Sequence, residues 1–202
     1  MLKETLLLDS TRPFSDAPNK DIGCPEHSSE GVPSSWYALR VSYSRELKVQ
    51  KALDALGVKT FVPMMWKRCQ DNPDRKLVPA VGNLCFAYST RTALEDFIRG
   101  YGESSPVHFY WDRTANRPLT VPDKAMNDFI TVASTLDEDI VYVTEISAKL
   151  REGQTVMVKD GPFKGVEGKV VRIRKSRRIL VELPGMLAVA TTYIDPVNLE
   201  II

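Results

Sequence analysis

The chain has 202 residues, 43 % of them hydrophobic, enough for one or two small domains with cores of their own. Its formal net charge is +1, so contact with nucleic acid must come from a local basic patch and not from a global field. Three scattered cysteines (Cys24, Cys69, Cys85) argue for a reducing compartment, and no apolar run approaches the ~20 residues of a membrane span, so a soluble cytoplasmic protein is expected.

Residues 1–34 are rich in Pro, Ser, Asp and Lys with no sustained period, and read as a disordered tail. Cys24-Pro-Glu-His27 holds two metal-ligand types but no second pair lies nearby, so no metal site is expected. Order begins with the strand Trp36-Tyr-Ala-Leu-Arg-Val41, bulky on both faces and therefore central in a sheet. Ser44 is placed to cap a helix that ends at Gly57, with Val49, Ala52, Leu53 and Leu56 as its apolar stripe. A strand from about Lys59 to Trp66 ends in the charged tract Lys67-Arg68, and a loop follows to Lys76. Leu84-Cys-Phe-Ala-Tyr88 is the next apolar strand. Thr92 and Glu95 form a capping box for a second helix with Gly100 after its end. Val107 to Trp111 reads as an aromatic strand. Pro122 suits the first turn of a third helix, buried through Met126, Phe129, Ile130 and Ala133.

The order β-α-β-β-α-β-α over residues 35–135 is a ferredoxin-like split β-α-β pattern with an added helix, within an overall α+β class. Helices on one sheet face leave the other bare, a docking surface for a partner. Residues 136–148 read as a linker with a short strand at Ile140-Val-Tyr-Val143. From 149 to 202 the pattern is all β, a small SH3-like barrel with strands near 155–159, 167–174, 178–183, 187–192 and 197–202. Its centre is a strand, then Asp160-Gly-Pro-Phe-Lys-Gly165, then Glu167-Gly-Lys-Val-Val-Arg-Ile173, then Arg178-Ile-Leu-Val-Glu-Leu183. The Val- and Ile-rich alternation from 156 to 183 argues for strands here against any helical packing of the same segment.

That run resembles a KOW domain. Together with Trp36-Tyr37, the Pro63-Met-Met strand end, Pro79, Asn83-Leu-Cys-Phe-Ala87 and Arg117-Pro-Leu-Thr-Val-Pro-Asp-Lys124, it makes residues 36–202 similar to the NusG family of transcription elongation factors. Lys76-Leu-Val-Pro-Ala-Val-Gly-Asn-Leu84 resembles the UpxY-like regulators of capsular polysaccharide operons. The resemblance implies a first domain that docks on the clamp of RNA polymerase and suppresses pausing or termination, contact with non-template DNA or nascent RNA, and a barrel that recruits a ribosomal protein or regulator. Pro184-Gly185-Met186 stands where many housekeeping members carry an aromatic, Gly and Arg, which puts their barrel contacts in doubt for this chain. It implies a monomer with no membrane contact, no cofactor and no enzymatic activity, and no phosphate-cradling, H-E-x-x-H or G-x-S-x-G motif argues otherwise.

Several residues become candidate contacts. Trp36, Tyr37, Leu84, Phe86, Phe109 and Tyr110 are the apolar groups for a polymerase-docking face, although such groups on strands are more often core. Arg45, Lys48 and Lys51 can reach nucleic-acid phosphate from the first helix, or form an ordinary solvated face. Phe163, Met186 and Arg174 are the candidate partner contacts of the barrel, with Phe163 equally suited to plug the barrel's open end. Arg172, Arg174, Lys175, Arg177 and Arg178 form a basic hairpin that suits RNA or protects an edge. The alternative function is a ribosome-associated or general RNA-binding protein. The low net charge and the lack of an RNP1 strand speak against it.

Overall fold

Alternation along the first strand sets the layering of the first domain. In β1 (Ser35–Val41), Trp36 and Ala38 face one side while Tyr37, Leu39 and Val41 face the other, and all five are buried. Such a strand must lie inside a sheet. The computed structural model, which describes residues 33–68, 74–144, 153–173 and 175–202, places it there. Antiparallel partners flank it: β5 (Leu84–Ser89) on one side, β6 (Val107–Phe109) and β9 (Thr120–Val121) on the other, with β2 (Lys59–Phe61) beyond β5. Residues 1–32, which hold all but the last two residues of the expected tail and include Cys24–His27, lie outside the described residues.

Two helices, α1 (Glu46–Asp54) and α2 (Arg91–Arg99), cover the Tyr37, Leu39 and Val41 face through Val49, Leu53, Leu94 and Phe97. The third, α3 (Asp123–Ala133), covers the opposite face, where Met126, Phe129 and Val132 meet Trp36, Leu84 and Phe86. The expectation of a bare sheet face is therefore corrected: helices lie on both faces. The physical reason is in α3 itself, whose apolar stripe needs a surface of matching chemistry, and the alternate residues of β1 and β5 supply it.

Local signals held in part. Tyr43 and Ser44 both take left-handed backbone (φ 63° and 53°), so Ser44 does not cap α1, and no side chain does. Gly57 lies at φ 75° and lets the chain leave the helix as expected. For α2 the cap is Thr90, whose hydroxyl accepts the Ala93 N–H at 3.3 Å, two residues before the expected Thr92. Two ribbons stand apart from the main sheet: β3 (Met64–Arg68) with β4 (Arg75–Pro79), and β7 (Trp111–Asp112) with β8 (Arg117–Pro118).

The second domain follows the expected strands closely: β11 (Thr155–Val158), β12 (Glu167–Ile173), β13 (Ser176–Leu183), β14 (Leu187–Ala190) and, after a 3-10 turn at Pro196–Asn198, β15 (Leu199–Ile201). The short strand expected within the linker is present. Val141–Val143 forms β10, which pairs antiparallel with β14 and extends the barrel sheet to the order β10-β14-β13-β12-β11-β15. Residues 145–148 lie outside the described residues.

Candidate functional site

The six apolar candidates do not share a surface. Trp36, Leu84 and Phe86 lie on the α3 side, where the Phe86 and Phe129 rings meet edge to face with centroids 5.9 Å apart. Tyr37 and Phe109 lie on the α1/α2 side, their rings 5.6 Å apart. Phe86 has no exposed area and Leu84 has 1 %, so both are core. Only Phe109 and the half-buried Tyr110 keep appreciable surface. Phe109 lines a shallow groove of about 470 Å³ with Ile98, Glu95, Arg99, His108 and Trp111. Trp111 is 49 % exposed, and its indole N–H donates to Asn116 Oδ1 at 3.3 Å, which holds the ring at the groove's edge. Sequence reasoning counted Trp111 only as a strand aromatic; the turn residues that lift it, Thr114 to Asn116, were the available signal.

The basic candidates of α1 do reach the surface. Lys48 and Lys51 are exposed, and the Arg45 guanidinium lies 5.7 Å from the centroid of the Tyr43 ring. Between them Glu46 points inward, and its Oε1 accepts the Asn83 N–H at 2.6 Å. That carboxylate fixes the left-handed turn at Asn83 (φ 61°), a role the charged sequence around it concealed.

In the barrel, Phe163 is 4 % exposed and belongs to the core, which is the plug reading. Met186 is half-buried against the same core, and the neighbouring Gly185 faces the first domain: a Cβ there would lie 3.9 Å from Leu119 Cδ1. Arg174 lies outside the described residues. Arg178 leaves the basic hairpin cluster, because it is buried and its Nη1 donates to the carbonyls of Asp139 and Thr191. It ties the connection between the domains to the barrel. Arg172, Lys175 and Arg177 stay exposed.

Helix α3 is sandwiched between sheet and barrel. Lys124 Nζ donates to both carboxylate oxygens of Asp128 (2.8 and 2.6 Å) and to the Gly165 carbonyl at 2.9 Å. Asp128 Oδ2 also accepts the Glu167 N–H of the barrel at 3.2 Å. Burial works against the Lys124 charge, but the hydrogen bonds and charges of Asp128 and Glu167 outweigh it and raise its pKa above the ordinary lysine value. From the connecting strand, the Tyr142 hydroxyl donates to the Met64 carbonyl at 3.3 Å while its ring packs on Phe129. Asp128 is 7 % exposed, so its loss strands a backbone donor at the contact. Asp128→Ala is expected to keep both domains folded and weaken their contact by about 1–3 kcal/mol. Hydrogen exchange at the Glu167 amide reads this, and unchanged protection would show that the contact does not depend on the carboxylate.

The Cys85 thiol is no nucleophile. Burial first, then the charges of Asp54 and Glu46, push its pKa up to about 12, far from thiolate chemistry at neutral pH. Among the described residues no group of three or more His, Cys, Asp or Glu could hold a metal, and no helix is long and apolar enough to cross a membrane.

Comparison with known proteins agrees with this two-part organisation. A family profile described as transcription termination factor nusG matches residues 34–130, and a KOW motif profile matches residues 152–182. The two together span more than half of the chain in the order the fold displays. The chain belongs to the NusG family. Its general role is therefore that of a NusG-type factor in transcription elongation and termination, and NusG-type factors bind RNA polymerase. No curated protein matched the sequence. A solved structure described as domain interaction in Thermotoga maritima NusG is similar over 84 % of this chain and 97 % of its own, at 16 % identity and a TM-score of 0.44.

Proposed function

We propose that this NusG-family protein is an antitermination factor that docks its first domain on the clamp region of RNA polymerase, suppresses pausing or termination, and serves particular operons of the capsular polysaccharide type. The observation that carries the reading is the NusG domain directly followed by a KOW barrel. Operon specificity draws its support from Lys76–Leu84, the stretch that resembles the UpxY-like regulators. The docking surface we assign is the groove of Phe109 and Trp111, since Trp36, Leu84 and Phe86 stand behind α3. A large exposed aromatic beside an apolar wall is the usual anchor of a protein interface. Lys48 and Lys51, exposed on α1, and the half-buried Arg45 just before it suit contact with the non-template strand or the transcript. A further protein partner recruited through Met186 would compete with Leu119 for the same turn, so recruitment follows separation of barrel and first domain.

The test is binding of the full chain to a reconstituted elongation complex, with the free nucleic-acid scaffold as control. Tight binding that requires polymerase is expected, and Trp111→Ala should weaken it about 30-fold or more, the effect of losing an interface hot spot, without changing thermal stability. Equal affinity for the bare scaffold, with a steep salt dependence, would move the assignment to general RNA binding. Unaltered affinity of the Trp111 variant would remove the groove.

A further inference from the structure

The ribbon of β3 and β4 carries charges that its own folding does not explain. Its register sets Lys67 directly opposite Lys76 and Arg68 directly opposite Arg75. Like charges across an antiparallel pair are destabilising. All four residues are exposed, as are Met65 (42 %) and Trp66 (41 %) on the same strand. Two acidic groups lie close: Asp74 at the start of β4, and Glu138, which pairs with Arg75 from the connection between the domains. Among the described residues Lys67, Arg68 and Lys76 make no ion pair. In a chain of net charge +1 this is a sharply local excess of positive charge.

We infer that the β3–β4 ribbon binds the phosphate backbone of a DNA duplex. A free-standing two-stranded ribbon is of a size that enters the major groove of B-form DNA and not the deep, narrow one of an RNA duplex, and the paired cations on its two faces would then meet phosphates on either side. Backbone contacts of this kind position a protein without reading sequence. The exposed Trp66 ring beside them supplies apolar contact to sugar or base edge. This site is separate from Arg45, Lys48 and Lys51 on α1. It rests on the transcription reading only for where the duplex would be met, which is beside the polymerase-bound first domain.

The experiment uses the full chain and no polymerase, so its failure is distinct from failure of the docking assignment. Fluorescence anisotropy is measured on a 20-base-pair DNA duplex and on an RNA duplex of the same sequence across a salt series. The unaltered chain is expected to bind the DNA duplex with a log–log salt slope of about −0.9 for each phosphate neutralised. The exposed triple variant Lys67→Gln, Arg68→Gln, Lys76→Gln should lose about tenfold or more in affinity at about 100 mM salt, and its slope should become shallower by roughly 2–3. Arg45→Gln, Lys48→Gln, Lys51→Gln serves as the comparison and should retain the larger part of duplex binding. A loss on DNA supports the site, while a loss confined to the RNA duplex would overturn the groove assignment. Wild-type affinity and slope in the folded ribbon variant, or no duplex binding by the unaltered chain, would overturn it.

Discussion

Phe86→Asp is expected to unfold the first domain and not merely to block a binding face. The side chain has no exposed area and stacks on Phe129, which in turn packs edge to face on Phe61 and Tyr142. Removing a buried phenylalanine costs about 3–5 kcal/mol through lost burial and the cavity left behind. A carboxylate in its place adds a desolvation penalty of several kcal/mol, since it would stand among the apolar side chains of this cluster. The total is comparable to the whole stability of a typical domain, about 5–15 kcal/mol. Loss of the near-ultraviolet dichroism and of the thermal transition is the expected measurement. A folded Phe86→Asp protein with unchanged melting that no longer binds polymerase would restore Phe86 to a docking face. Trp111→Ala is the informative contrast, because that ring is half-exposed and sits on a ribbon outside the main sheet.

The difference between these two residues marks where the sequence was legible. The near-continuous apolar runs at Trp36–Val41 and Leu84–Tyr88 identify strands with two apolar faces, and the structure has them. The spacing of Met126, Phe129 and Ala133 identifies a helix with one buried stripe, and α3 has that too. Periodicity does not say which layer the stripe meets. That choice depends on which sheet face α1 and α2 leave open, a three-body question that no local pattern encodes. The same holds for the connecting segment: its short strand was legible, but the place of that strand on β14 depends on an edge formed more than forty residues later. Barrel strands were legible almost to the residue because the turn chemistry of Asp160-Gly-Pro and Gly165 brackets them. Caps were less so. Tyr43 and Ser44 take left-handed backbone, which displaces the cap that composition alone would assign to Ser44.

Site residues followed the same division. The exposure of Lys48 and Lys51 was legible because charge on a helix face is a surface property of sequence. Arg178 looked identical to its basic neighbours and is buried, because Asp139 and Thr191 present carbonyls where it reaches inward. Phe163 on its Gly-Pro-Phe turn suited a partner anchor and a barrel plug equally, and it folds back into the barrel's core. The lesson is that a side chain's type gives its options, while the surrounding layers select among them.

The largest effect expected in the barrel comes from adding atoms to a glycine. In β12, a Cβ at Gly168 would lie 2.5 Å from the Leu180 carbonyl oxygen and 2.6 Å from Ile179 Cγ2. The first of these is backbone of the adjacent strand β13 and cannot swing aside. Its own backbone is not in the left-handed region, so conformational strain is not the issue; close approach is. On local propensity alone, Gly168→Val should favour the strand. The packing argument gives the opposite sign, because the β12–β13 ladder must open to admit the side chain, and overpacking of this kind costs about 1–3 kcal/mol or more. The KOW resemblance thus has a physical content at this position: Glu167-Gly168 lets two strands of a small barrel close. We expect Gly168→Val to lower the melting temperature by at least about 4 °C, with loss of dispersed amide signals from β12 and β13 while the α1/α2 core of the first domain persists. Gly82→Ala is the matched control, since a Cβ there meets nothing within 4 Å, and it should be nearly neutral. Equal stability of the two variants would show that the barrel accommodates a side chain at Gly168, and the close-approach account of the motif would fall.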